Sequence, residues 1–158
     1  MRVGLGYDIH RVAAGLPLVL GGVRIPSDVG LAGHSDADVV VHALMDALLG
    51  AASLGDIGRH FPPSDEHFRG MSSLLLLHEV HQMVSRSGYK VINADIMVVA
   101  EQPRLGPHTL GMQEEIARVL GIEVHDVSVK ATTNEGVGAE GRQEAISAQA
   151  VVLLESAG

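Results

Sequence analysis

Cysteine and tryptophan are absent from the 158 residues, and phenylalanine and tyrosine occur only twice each. Without cysteine there is no disulfide framework and no thiolate metal site, so any metal ion must be held by nitrogen and oxygen. The shortage of aromatics removes the platforms on which single-stranded nucleic acid stacks. Positive charge is also scarce. Eleven Lys and Arg against nineteen Asp and Glu leave a net charge of −8, which argues against a general grip on polyphosphate backbones, so an anionic ligand needs a local site. No apolar run approaches the ~20 residues that span a bilayer. Met1 leads straight into a strand pattern, with neither the basic n-region nor the apolar h-region of a secretory signal. The expectation is a cytoplasmic protein with no nucleic-acid and no membrane partner.

What is present is aliphatic. Apolar residues make up 46% of the chain, and a domain of this length buries about 70% of its unfolded surface, so residues 1–158 are expected to form a single domain with a full core. Nine histidines supply the nitrogen that a thiol-free metal site requires.

Arg2 to Val12 reads as a strand, and LPLVLGGVRIP, Leu16 to Pro26, as a hairpin turning at Gly21-Gly22. SDVGLAGHSDAD reads as a polar loop whose Ser35-x-x-Asp38 end has the form of a helix cap, followed by a helix in VVVHALMDALLGAAS. Ser53 to Gly70, rich in glycine and interleaved charge, reads as a long loop of the kind that covers active sites. MSSLLLLHEVHQMVSRSG reads as a second helix stopped at Gly88, YKVINADIMVVAE as a strand, PHTLGMQEEIARVLG as a helix opened by Pro107, and DVSVKATT as a strand. NEGVGAEGRQE is a glycine-rich loop before a last strand in AISAQAVVLLE. This order predicts an α+β fold: a mixed sheet with helices packed on one face, plus the small hairpin.

Residues two apart on a strand share a face, so Asp8 and His10 present a carboxylate and an imidazole side by side. Two readings stand: a hydrogen-bonded pair, or two ligands of a divalent ion completed by His42, which would leave one coordination position open as catalytic sites do. His34-Ser35 precedes the helix start, where free N–H groups favour phosphate, although Ser35 would equally serve as a cap. Asp56 and Glu135 by themselves read as solvated loop carboxylates and Asp65 as a turn residue. His78 and His81 read as packing or surface residues, and Arg142 as a surface ion-pair partner. ATTNEGVGAEGR, Ala131 to Arg142, could bring backbone amides close to a phosphate, but it is no Walker loop.

Taken in order, GYDIHRV, GGVRIP, GHSDAD, HALMDALLGAASLGDIG, FPPSD, KATTNEGVG and GRQE resemble the 2-C-methyl-D-erythritol 2,4-cyclodiphosphate synthases of the non-mevalonate isoprenoid pathway, over nearly the whole chain. The resemblance implies a homotrimer with active sites between subunits. It also implies a metal-assisted intramolecular phosphoryl transfer in which the 2-phosphate of 4-diphosphocytidyl-2-C-methyl-D-erythritol 2-phosphate attacks the β-phosphorus and releases CMP. Formally that is a phosphorus–oxygen lyase. By matching motif, Asp8, His10 and His42 would hold zinc, and Glu135 a second divalent ion, magnesium or manganese. His34 and Thr133 would stabilise the transition state, with Ser35 binding phosphate beside His34. Asp56, Ile57 and Gly58 would bind the methylerythritol unit, with Phe61 and Asp65 in the adjoining loop. Ala100, Pro103, Arg104, Ala131 and Thr132 would shape the cytidine pocket from the neighbouring subunit, and Asn134 lies between Thr133 and Glu135 in the substrate loop. Arg142 and Glu144 match positions near the three-fold axis. Asp46, one turn beyond His42, is the expected partner of a ligand imidazole.

The chain departs from the family where an acid is often found and Pro63 stands, at Ala139 in place of an aromatic, at Arg104 for lysine and at Asn134 for threonine. Arg104 replaces a point charge with a planar fork. Two other functions remain compatible with the same residues: a phosphohydrolase that makes hydroxide at the Asp/His cluster, and a trimeric nucleotide- or metal-binding module without chemistry.

Overall fold

The first strand, β1 (Arg2–Ala14), alternates. Its even residues Gly4 and Gly6 are buried under α1 (Val39–Ala51), while Val3, Leu5, Tyr7 and Ile9 are exposed on the opposite face. The computed structural model covers Met1–Gly158. After β1 come the hairpin β2 (Leu18–Leu20) and β3 (Val23–Ile25), then β4 (Val29–Leu31), α1, α2 (Ile57–His60) and α3 (Ser73–Arg86). The second half runs β5 (Tyr89–Val99), α4 (Thr109–Leu120), β6 (Val127–Thr132), α5 (Gly138–Gly141) and β7 (Ala145–Ser156). Five strands form one sheet in the order β4-β1-β7-β5-β6, in which only β5 and β6 pair in parallel. The α+β class with a mixed sheet and a separate hairpin is as the sequence predicts.

Every residue of α1 except Asp46 and Gly50 is buried, because the helix is apolar on all sides and is enclosed between the sheet and α3. It can lie so low because β1 offers glycine beneath it. A Cβ at Gly4 would stand 1.9 Å from the Ala47 carbonyl oxygen, and one at Gly6 would stand 1.8 Å from that of Ala43. This close approach brings a residue of α1 level with the side chains of β1.

Asp38, not Ser35, caps α1, accepting the Val41 N–H at 3.1 Å. The same carboxylate accepts the N–H groups of Gly21 and Gly22 at 2.9 and 2.7 Å. Those two glycines have φ of +57° and +77°, as a two-residue hairpin turn of this hand requires. Asp38 thereby fastens the hairpin to the start of α1. Burial pushes its carboxyl up to about 6, against the opposing pull of the Gly22 amide.

Three further local differences have physical reasons. β4 was expected to be loop; its three residues are too short for alternation to register, and they form by pairing with Val12–Ala14. The loop from Ser53 to Gly70 contains α2 and a 3-10 turn at Glu66–Phe68, each begun by an aspartate side chain, Asp56 and Asp65. Pro107 lies in a 3-10 turn, Gly106–His108, that precedes α4.

Candidate active site

Asp8 and His10 project from the buried-side face of β1, and His42 reaches them from α1. Asp8 Oδ2 lies 2.9 Å from His10 Nε2 and 3.1 Å from His42 Nδ1, and the two imidazole nitrogens are 3.2 Å apart. The outer nitrogen of His10, Nδ1, is 2.7 Å from the Ala32 carbonyl oxygen. A carbonyl only accepts, so His10 carries a proton on Nδ1, and Nε2, which faces Asp8, is the atom that takes up a second proton or a metal ion. A carboxylate and two imidazoles that converge in this way take up either a proton or a cation. Two nitrogens and one oxygen, with all ligand atoms within 4.8 Å of one another, suit a divalent ion with an open coordination position.

The electrostatics agree. Burial alone would raise the Asp8 carboxyl, but the hydrogen bonds of His10 and His42 outweigh it and hold it down at about 2. Burial alone would lower His10; its hydrogen bond to Asp8, the Ala32 carbonyl, and the charges of Asp8 and Asp38 raise it instead.

Beside the triad opens a pocket of about 320 Å³ lined by His34, Ser35, Ile57, Gly58 and Phe61 over a floor of Met45 and Leu76. Pro63 also lines it. The covering segment is held from both sides. Asp46 Oδ1 accepts the Ile57 N–H at 2.8 Å, the His34 ring Nε2 meets the Asp65 carbonyl at 3.0 Å, and the His34 carbonyl accepts the Gly70 N–H at 2.9 Å. The expectation for Asp46 is thereby corrected: it makes no hydrogen bond with His42, and its carboxylate is taken up by the Ile57 N–H, which anchors the loop. Burial, then the charges of Asp56 and Asp8, raise its carboxyl. Asp56 and Asp65 lie at the two ends of that segment, accepting the N–H groups of Arg59 and His67 at 3.0 and 2.9 Å. Phe61 packs edge-to-face on Phe68.

Ala100, Pro103, Arg104, Ala131, Thr132 and Thr133 line a separate pocket of about 430 Å³ at the ends of β5 and β6. Within one chain, Thr133 and His34 therefore belong to different pockets. Glu101, which the sequence reading passed over, organises this second one: its Oε1 accepts the N–H groups of Asn134 and Gly136 at 2.9 and 3.2 Å. The only mark it carried in the sequence was a carboxylate at the end of the strand read in YKVINADIMVVAE; β5 itself stops at Val99. Glu135 follows with φ of +52°, its N–H 3.3 Å from Thr133 Oγ1. Arg142 and Glu144 form an exposed ion pair.

The profile of the YgbB family matches residues 1–155. A 2-C-methyl-D-erythritol 2,4-cyclodiphosphate synthase of Syntrophomonas wolfei is 62% identical over 157 residues, covering 99% of this chain and 100% of its own. Among solved structures, a 2C-methyl-D-erythritol-2,4-cyclodiphosphate synthase in its CDP-bound form superposes with a TM-score of 0.90 at 40% identity, over 98% of this chain and 100% of that one. The bifunctional IspDF of Campylobacter jejuni superposes with a TM-score of 0.95 at 41% identity over 98% of this chain, which spans 42% of that longer protein. With the profile matched almost from end to end, and the relatives on its own scale aligned over their full length, this chain belongs to the YgbB family of 2-C-methyl-D-erythritol 2,4-cyclodiphosphate synthases.

Proposed function

We propose that the protein converts 4-diphosphocytidyl-2-C-methyl-D-erythritol 2-phosphate to 2-C-methyl-D-erythritol 2,4-cyclodiphosphate and CMP, acting as a phosphorus–oxygen lyase in the non-mevalonate isoprenoid pathway. An oxygen of the 2-phosphate forms a bond to the β-phosphorus, the bond from that phosphorus to the α–β bridging oxygen breaks, and CMP leaves with that oxygen. The observation that carries this reading is the convergence of Asp8, His10 and His42 beside the pocket of His34, Ser35, Ile57 and Gly58, in a chain whose relatives carry the synthase name.

Zinc held by Asp8, His10 and His42, and magnesium or manganese held by Glu135, would supply Lewis-acid polarisation and charge neutralisation at the diphosphate. The protein's own contribution is chiefly positioning, since attacking and leaving groups belong to one molecule that must fold back on itself. Ser35 and His34 bind phosphate, and His34 and Thr133 stabilise the charge spread over the transferring group. Asp56, Ile57 and Gly58 take the methylerythritol unit, under the loop of Phe61 and Asp65. Ala100, Pro103, Arg104, Ala131, Thr132 and Asn134 take the cytidine end.

The working form is a homotrimer. Supporting this are the separation of the two pockets within one chain and the open face of the sheet, where Val3 and Leu5 are each 69% exposed and Tyr7, Ile9 and Val151 lie alongside. Residues of that kind are ordinarily covered by a partner. Arg142 and Glu144 then lie near the three-fold axis. No helix is long and apolar enough to cross a membrane, which suits a cytoplasmic enzyme acting on a soluble diphosphate.

The test is incubation of the purified, zinc- and magnesium-replete protein with the diphosphocytidyl substrate, with products read by phosphorus NMR. CMP and a cyclic diphosphate are expected. Inorganic phosphate or an open-chain diphosphate would assign a hydrolase instead, and retained CDP binding without CMP release would assign a binding module.

A further inference from the structure

The outer nitrogen of His42, Nε2, points away from the metal cluster into the protein, where Ser73 Oγ lies 3.0 Å from it and Ser35 Oγ 3.1 Å. Ser73, the first residue of α3, is completely buried. Its hydroxyl is 2.5 Å from Asp36 Oδ1, and its backbone N–H is 2.9 Å from Asp36 Oδ2. A carboxylate accepts and does not donate, and a serine hydroxyl has one hydrogen. That hydrogen is committed to Asp36, so toward His42 the Ser73 oxygen can only accept. Nε2 must then carry a ring proton, which leaves Nδ1, the atom that faces Asp8 and His10, to take up either a second proton or a metal ion.

We infer that Ser73 and Asp36 are positioning residues that hold the His42 ring in the tautomer and orientation a metal ligand needs. This rests on the metal reading of the triad given above. The two histidines are served differently. His10 is fixed by a main-chain carbonyl, Ala32, which no side-chain change removes, whereas His42 depends on a relay of two side chains from two other segments of the fold. Outer partners of this kind orient ligand imidazoles and raise their basicity.

Asp36 also serves as an external cap. Ser72, at the N-terminal boundary of α3, makes no side-chain capping bond, and Asp36 takes the otherwise free Ser73 N–H at that helix end. The capping bond runs to the Ser73 main-chain N–H, so Ser73→Ala leaves it in place. The relay, by contrast, is cut by that substitution.

Full-length wild-type and Ser73→Ala proteins are stripped of metal, and zinc affinity is measured by competition with a chromophoric chelator. The His42 tautomer is read in the same metal-free samples from imidazole nitrogen-15 shifts. Wild type should bind one zinc ion per chain and hold His42 with the proton on Nε2. Ser73→Ala should lose about 10- to 100-fold in zinc affinity and show a mixture of tautomers, and Ser73→Thr, which keeps the hydroxyl, should recover most of the loss. Should Ser73→Ala fold poorly, Asp36→Asn provides the second arm, with the same loss of affinity expected. Unchanged zinc affinity in a folded Ser73→Ala protein, or a wild-type His42 without a proton on Nε2, overturns the relay while leaving the metal site intact. A wild-type protein that binds no zinc overturns the metal reading itself, and the relay with it.

Discussion

Gly6→Ala tests whether the close seating of α1 on β1 builds the metal cluster. A Cβ at Gly6 would stand 1.8 Å from the Ala43 carbonyl oxygen and 2.7 Å from the Ala47 nitrogen, both backbone atoms of the helix. Restoring even a 3.0 Å contact needs α1 to retreat by about 1.2 Å. Overpacking of this kind costs typically about 1–3 kcal/mol, which lowers Tm by roughly 2–12 °C in a chain of this length. The displacement falls on the site itself. Asp8 lies two residues from Gly6 on the strand, and His42 is next to Ala43 on the helix, so the 3.1 Å between Asp8 Oδ2 and His42 Nδ1 widens when the ligands need about 2.0 Å to a shared ion. Zinc affinity should fall at least tenfold, since misplacement by about 1 Å can cost about 10²-fold in a positioned site. Gly50→Ala is the matched control, because a Cβ there meets nothing within 4 Å. On an exposed helical position it should raise stability by about 0.5–1 kcal/mol and leave zinc binding alone. Thermal unfolding of metal-free protein and a zinc competition titration give both readouts. A Gly6→Ala protein with unchanged Tm and zinc affinity would refute the argument that the glycine seat sets the cluster.

Asp46→Ala should raise KM about two- to tenfold, the range that corresponds to one net hydrogen bond, while zinc affinity stays within about twofold of wild type in the competition titration; steady-state kinetics check the first half. Glu135→Gln should slow CMP release, followed chromatographically, far more than it reduces zinc content by elemental analysis, since Glu135 and the triad lie in different parts of the chain. For pH, Asp8 is held at about 2 against an ordinary 3.8, so its contribution to the metal-free protein is complete above pH 3.8 and is lost as pH falls through about 2. Unfolding midpoints across that window should drop in wild type and drop less steeply in Asp8→Asn, where the other depressed carboxylates still titrate.

The strand periodicity of GYDIHRV was enough to place Asp8 and His10 on one face, because side-chain alternation is local. His42 lies 32 residues from His10 in the chain, and spacing offered it as a third ligand in only one of two readings until the family resemblance chose between them, since the strand-to-helix contact that unites them depends on Gly4 and Gly6. Asp46 misled for a related reason. Spacing of four puts it beside His42 on the helix, but the nearby Ile57 amide claims its carboxylate. Ser73 at the start of α3 looked like any residue at a helix start, and Asp36 like one more polar residue in HSDAD; the relay from Asp36 through Ser73 to His42 appears only once three segments meet. Asp38 took the capping role that the sequence offered to Ser35, because the capping pattern does not say which of its residues the hairpin turn will bury.

The central claim is that the site holds the substrate for attack by its own 2-phosphate and does not activate water. Turnover in oxygen-18 water, followed by the isotope shift in phosphorus NMR, tests it most directly. Cyclic diphosphate and CMP that both form without solvent oxygen are the predicted result. Oxygen-18 bonded to phosphorus in a product formed at the rate of CMP release would contradict it.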